Sequence, residues 1–178
     1  ESARTVNQVQ FGGGSPNFLA PEELEGVMQG IRRSFRLEGD AEIAIEMHPR
    51  TSTEPFCKKV AALGFNRISL GVQDLDPKVQ KLIHRDQTYE ETRDMVSLLR
   101  KLGLSAFNFD LIYGLPGQSF EGWNQTLSRV LSMRPDRLAV YSYAHVPWVK
   151  PYQRSFKDSD LPPPKMKLEL FEKALEKF

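Results

Sequence analysis

Five short apolar runs, each ending in a polar or glycine-rich group, constrain this chain more than any other feature. They are Val6–Phe11 before Gly12-Gly-Gly-Ser15, Ile43–Ile45 before Glu46, Ile68–Val72 before Gln73-Asp74, Phe107–Phe109 before Asp110, and Leu138–Val140 before Tyr141-Ser-Tyr-Ala-His145. Helix-like stretches separate them. Strand, polar terminus, helix, repeated, is how parallel β/α folds build a site at the C-terminal ends of their strands. Spacings of roughly 25 to 40 residues argue for βα units in a parallel sheet. Right-handed crossovers turn successive units one way, toward a barrel or an open doubly wound sheet.

The 178 residues suffice for one domain with a substantial core. A full (β/α)8 barrel needs about 250 residues, so the expectation is a partial barrel, another open α/β sheet, or a piece of something larger. The first residue, Glu1, reads as a trimmed start. The net charge of +1, from 24 basic and 23 acidic residues, predicts no nucleic-acid and no membrane partner. No apolar run approaches the roughly 20 residues of a spanning helix, and no secretory leader is visible. The single cysteine, Cys57, permits no internal disulfide and no multi-cysteine metal site made by this chain alone. A cytoplasmic monomer is expected. The barrel core is expected over 1–145, and an irregular segment with a last helix over 146–178.

Local chemistry marks the helices. Pro21-Glu-Glu-Leu24 opens one with acids in its first turn, and Leu24, Val27, Met28, Ile31 and Phe35 recur at helical spacing, with Glu38-Gly-Asp40 closing it. The second strand is predicted over 41–47. Thr53-Glu-Pro starts a helix that Gly64 ends, and Asp76-Pro77 is a cap followed by proline at the first helical position. Helices are predicted over 88–102 and 120–133. Leu168, Phe171, Leu175 and Phe178 mark a last amphipathic face.

Several groups have the chemistry of a site. Gly12-Gly-Gly-Ser-Pro16 joins a strand to a helix, and its backbone N–H groups suit a carboxylate, although a turn needing positive φ is the plainer reading. It lacks the Lys-Ser/Thr of a P-loop and the GxGxxG spacing. Glu46 ends an apolar strand and must pair with a cation, either on a ligand or on Arg50 or Arg67. Gln73 is a site candidate, whereas Asp74 is equally a helix cap. Arg85, in His84-Arg-Asp-Gln87, reads as a solvated or paired surface group. Asp110 stands inside Phe107–Ile112, where an acid points to a site. His48, His84 and His145 show no metal-ligand spacing, and Cys57 reads as a small buried hydrophobe. Trp148, Tyr152 and Phe156 suit either a flat ligand or packing.

Taken together, these residues resemble the radical S-adenosylmethionine (SAM) enzymes, and among them the oxygen-independent coproporphyrinogen III oxidase family. The likeness is carried by Phe11–Pro16, Ala41–Arg50, Gly64–Asp74, His84–Gln87, Phe109–Pro116 and Asp136–Pro147, in family order. It implies a partial (β/α)6 TIM-like barrel of the radical SAM type, lacking the first βα unit. It implies oxidative decarboxylation of coproporphyrinogen III propionates to vinyl groups, giving protoporphyrinogen IX in haem biosynthesis. It also implies two SAM molecules, an external electron donor and acceptor, and a 4Fe–4S cluster in the full-length protein. The family's cluster loop, Cys-x3-Cys-x2-Cys, has no counterpart here, so this chain is expected to bind no cluster and to have no turnover by itself. By the resemblance, Gly13 and Glu46 contact the cluster-bound SAM, and Gly14, Ser15, Gln73, Arg85, Asp110 and Ala144 contact the second. No catalytic residue or metal ligand is assigned. The competing reading is a haem chaperone with the same core; Tyr143-Ala-His-Val-Pro147 favours the oxidase.

Overall fold

The computed structural model describes residues 4–178. Its strands are β1 (Thr5–Phe11), β2 (Arg36–Met47), β3 (Arg67–Gln73), β4 (Ala106–Tyr113) and β5 (Arg137–Ser142). Its helices are α1 (Pro21–Ser34), α2 (Glu54–Ala62), α3 (Pro77–Leu82), α4 (Tyr89–Lys101), α5 (Phe120–Ser132) and α6 (Pro164–Lys177). The sheet order is β1-β2-β3-β4-β5, and β1–β2 and β2–β3 pair in parallel. A doubly wound sheet reverses its order at a switch point. An unbroken sequential order is that of a partial barrel and removes the open-sheet alternative.

The chain divides into two compact units, Glu1–Gly71 with Glu91–Asn108, and Val72–Glu90 with Phe109–Phe178. In the first unit, Leu24 and Met28 of α1, Ala44 and Ile45 of β2, Cys57 and Val60 of α2, and Leu99 of α4 are fully buried. In the second, Trp123 and Leu127 of α5 and Leu170 of α6 are fully buried, and the Trp123 indole N–H donates to the Leu170 carbonyl at 2.8 Å.

The predicted starts of α2 and α3 hold. Thr53 Oγ1 accepts from Phe56 N, and Asp76 Oδ1 accepts from Lys78 N. Two expectations need correction. Glu38-Gly-Asp40 does not close a helix. α1 stops at Ser34, and β2 begins at Arg36 opposite Thr5. The register then slips between Val6 and Gln8, whose partners are Leu37 and Glu42. The turn-like composition of 38–40 is therefore spent on an irregularity within a strand pair, as glycine in a strand often marks. On α6, the predicted apolar row is the exposed one, with Leu168 56 % and Leu175 63 % accessible, whereas Leu170 and Ala174 pack inward. α6 carries two apolar rows, and the one with the small Ala174 is the one buried.

Candidate functional site

In the first unit, strand pairing sets the geometry. Phe11 lies opposite Ile45, so the next residues, Gly12 and Glu46, emerge side by side. A β-carbon on Gly12 would fall 2.5 Å from Glu46 Oε1, so a larger residue here would push that carboxylate aside. Gly13 and Gly14 have φ of +80° and +128°, and the Gly13 N–H donates to Glu46 Oε2 at 3.3 Å. Arg67, one sequence-derived partner for Glu46, pairs instead with Glu42 at 2.6 Å. Glu46 is half-buried, and Gly12–Gly14 are exposed. Ser15 precedes a short 3-10 turn, Pro16–Phe18, and its carbonyl accepts from Phe18 N. Asn17, which sequence reasoning passed over as part of a turn, is buried. It donates to Thr51 Oγ1 at 2.6 Å and accepts from His48 N at 3.2 Å. It thereby ties the segment after the glycines to the loop after β2. A carboxylate beside an exposed glycine backbone suits the ammonium of a zwitterion.

In the second unit, Gln73, Ile83, Arg85, Ile112, Leu115, Tyr143, Ala144 and Tyr152 are among the residues lining a cavity of about 350 Å³. That volume suits a small organic ligand. Three sequence-derived candidates, Gln73, Arg85 and Ala144, thus share one hollow. Asp110 is not among its lining residues, and β4 contributes Ile112. Burial pulls the Arg85 guanidinium below its ordinary pKa, the expected effect of desolvating a cation. Burial, with Tyr152 alongside, pushes the Tyr143 phenol up.

Backbone strain concentrates here. Among the described residues, positive φ occurs at four non-glycine positions: Gln73 (+63°), His84 (+57°), Asp86 (+49°) and Arg134. Three of these are Gln73 itself and the two neighbours of Arg85. Asp74 N donates to Val72 O at 2.8 Å, closing a three-residue turn centred on Gln73, the strained γ-turn form. Such conformations persist only where the surroundings hold them.

Three buried glutamines supply the holding, and none of them stood out in the sequence. Gln80 donates to the Val72 and Asp74 carbonyls and accepts from Gln87 N. Gln118 accepts from Gly114 N and Leu115 N and donates to Ile112 O and to Asp74 Oδ2. Gln153 accepts from Val146 N and donates to Ala144 O. Each spans a loop or strand end that feeds the cavity. Asp74 is no helix cap; Asp76 has that role. Asp74 is fully buried and accepts from Thr126 Oγ1, Gln118 Nε2 and Asp76 N. Desolvation pushes its pKa up against the pull of those bonds.

The remaining candidates divide. His145 Nδ1 lies 3.4 Å from the Tyr143 hydroxyl. Trp148 is 73 % exposed, whereas Tyr152 and Phe156 line the cavity. Cys57 is fully buried on α2, with its thiol pushed up to about 11 by burial. Among the described residues, no cluster of three His, Cys, Asp or Glu side chains could hold a metal. No helix among them is long and apolar enough to cross a membrane.

The radical SAM superfamily model matches residues 1–130. The chain is 45 % identical over 176 residues to the oxygen-independent coproporphyrinogen III oxidase of Helicobacter pylori strain J99, and 40 % identical over 174 residues to that of Escherichia coli K12. Each alignment covers 98 % of this chain and 38 % of the relative, so the chain spans well under half the length of these curated relatives. The solved E. coli coproporphyrinogen III oxidase, described as a radical SAM enzyme, superposes with a TM-score of 0.93 at 40 % identity, over 97 % of this chain and 40 % of that one. The Elp3 protein of Methanocaldococcus infernus shares the fold, with a TM-score of 0.73 at 20 % identity, over 97 % of this chain and 45 % of that one. Strand order, glycine loop and family match agree: the chain belongs to the radical SAM superfamily.

Proposed function

We propose that this chain is the SAM-binding core of an oxygen-independent coproporphyrinogen III oxidase. The observation that carries the proposal is the convergence of Gln73, Arg85 and Ala144 on one cavity. The substrate follows from the relatives' names and from identity of 40 % or more across nearly the whole chain.

In this reading, Gly13 and Glu46 contact the cluster-bound SAM, with Glu46 taking its ammonium. Arg85 and Gln73 hold the amino-acid end of a second SAM, with Ala144 against it. Arg85 is desolvated, so a carboxylate arriving there is worth more than at a hydrated surface arginine. The cluster does not fit the side chains of this chain, because Cys57 is buried and protonated. It is assigned to polypeptide outside these residues. When bound, it supplies the electron that cleaves SAM reductively to a 5′-deoxyadenosyl radical. The substrate then loses a propionate hydrogen atom, carbon dioxide and one electron to leave a vinyl group, so an electron acceptor is required. The porphyrinogen, the electron donor and that acceptor are the expected partners, in a cytoplasmic monomer.

The test is anaerobic incubation of the intact gene product with coproporphyrinogen III, SAM and a reductant. Protoporphyrinogen formation with release of two carbon dioxides supports the assignment; haem retention with a Soret shift and no decarboxylation would replace it with haem transfer. Iron–sulfur reconstitution of the 178-residue chain alone is expected to yield no stoichiometric cluster absorbance.

A further inference from the structure

The reading of the cavity as a SAM site rests on two segments, the turn at Gln73 and the loop at Arg85, and one buried residue bonds to both. We infer that Gln80 is a positioning residue that fixes the distance between these segments, so that together they discriminate the carboxylate-bearing end of SAM. This inference depends on the SAM assignment of the cavity.

Gln80 sits on α3 and is 2 % exposed. Its two amide hydrogens go to the carbonyls flanking the Gln73 turn, Val72 O at 3.2 Å and Asp74 O. Its side-chain oxygen accepts from Gln87 N at 3.2 Å, and its own carbonyl accepts from Arg85 N at 3.1 Å. Both amide hydrogens and the amide oxygen are therefore committed to loops in strained conformations. Only a neutral amide meets this demand. A carboxylate at this place would face two carbonyls, and a hydrocarbon would leave buried acceptors unpaired. The Gln80 side chain holds the two residues flanking Gln73 and the backbone of Gln87, two positions past Arg85, so its loss changes where Gln73 and Arg85 stand rather than what they are.

The test compares SAM with decarboxylated SAM, which keeps the nucleoside, sulfonium and amine but lacks the carboxylate. Affinities are measured by calorimetry on the intact gene product and its variants. The wild-type chain is expected to prefer SAM by about a hundredfold, and Arg85→Ala to abolish that preference. Gln80→Met, close in volume, is expected to cut the preference by about tenfold or more while leaving affinity for the decarboxylated probe within about twofold. A general loss of structure would weaken both ligands together and would overturn the inference. If Gln80→Met does not fold, Gln80→Asn, an amide one methylene too short to span both segments, takes its place with the same expectation. An unchanged preference in the Gln80 variant, with the Arg85 effect intact, refutes the positioning role alone. No preference in wild type, or an indifferent Arg85→Ala, removes the SAM assignment and the inference with it.

Discussion

The glycine loop beside Glu46 and the cavity around Arg85 hold polar groups ready by opposite means. The first is made of backbone. Gly12–Gly14 are exposed, and Glu46 stands beside them because strand register puts it there. The second is made of side chains on strained loops, fastened from behind by buried amides. A site built on register tolerates changes in the side chains around it, but not an added atom at the point of closest approach. A site built on braced loops should fail when its charged group or its braces are altered.

The largest effect that would separate the two is expected at Arg85. Arg85→Ala should weaken SAM binding by about a hundredfold, the loss of a desolvated charge-assisted pair; unchanged calorimetric affinity would break the comparison. Next comes Asp74, within the bracing of the second region. Burial raises its pKa in the folded chain, so the native state holds the proton more tightly than the unfolded one. Stability linked to this group is therefore fully present below the ordinary aspartate range and is lost as pH rises from there through the raised pKa of the folded state. Asp74→Asn should lower stability by about 1–3 kcal/mol, because acceptor capacity is lost, while flattening that pH dependence in thermal melts. A pH profile parallel to wild type would refute it. In the first region, Gly12→Ala should displace the Glu46 carboxylate and cost about tenfold in SAM affinity, measured on the intact gene product after iron–sulfur reconstitution. The smallest effect is Gly13→Ala, where no atom lies within 4 Å of the added carbon but φ is +80°. It should cost about 1 kcal/mol of stability, read from denaturant midpoints.

The sequence disclosed this architecture unevenly, for reasons visible residue by residue. Strand ends and helix starts were legible because their causes are local: Thr53 and Asp76 cap the helices that follow them at once. The start of β2 was not, since Arg36 and Leu37 are strand only by virtue of Thr5 and Val6 thirty-one residues earlier. Nor was the buried face of α6, where both apolar rows have helical spacing and only packing selects between them. Gln73 stood out as a polar residue ending an apolar strand. Arg85 looked like a surface cation, and nothing in His84-Arg-Asp-Gln87 announces positive φ on both sides of it. The buried glutamines were invisible. A glutamine has no periodicity of its own, and the bonds that define Gln118 reach as far as Asp74, forty-four positions away.

The three bracing glutamines carry no charge. The bonds of Gln80 and Gln153 run to backbone groups that neither titrate nor attract counterions, whereas the bond from Gln118 to Asp74 ties one brace to a carboxylate whose pKa burial raises. A salt titration of ligand affinity would then report chiefly the Debye screening of the ligand's charges against the Arg85 guanidinium, since none of the three braces is an ion pair.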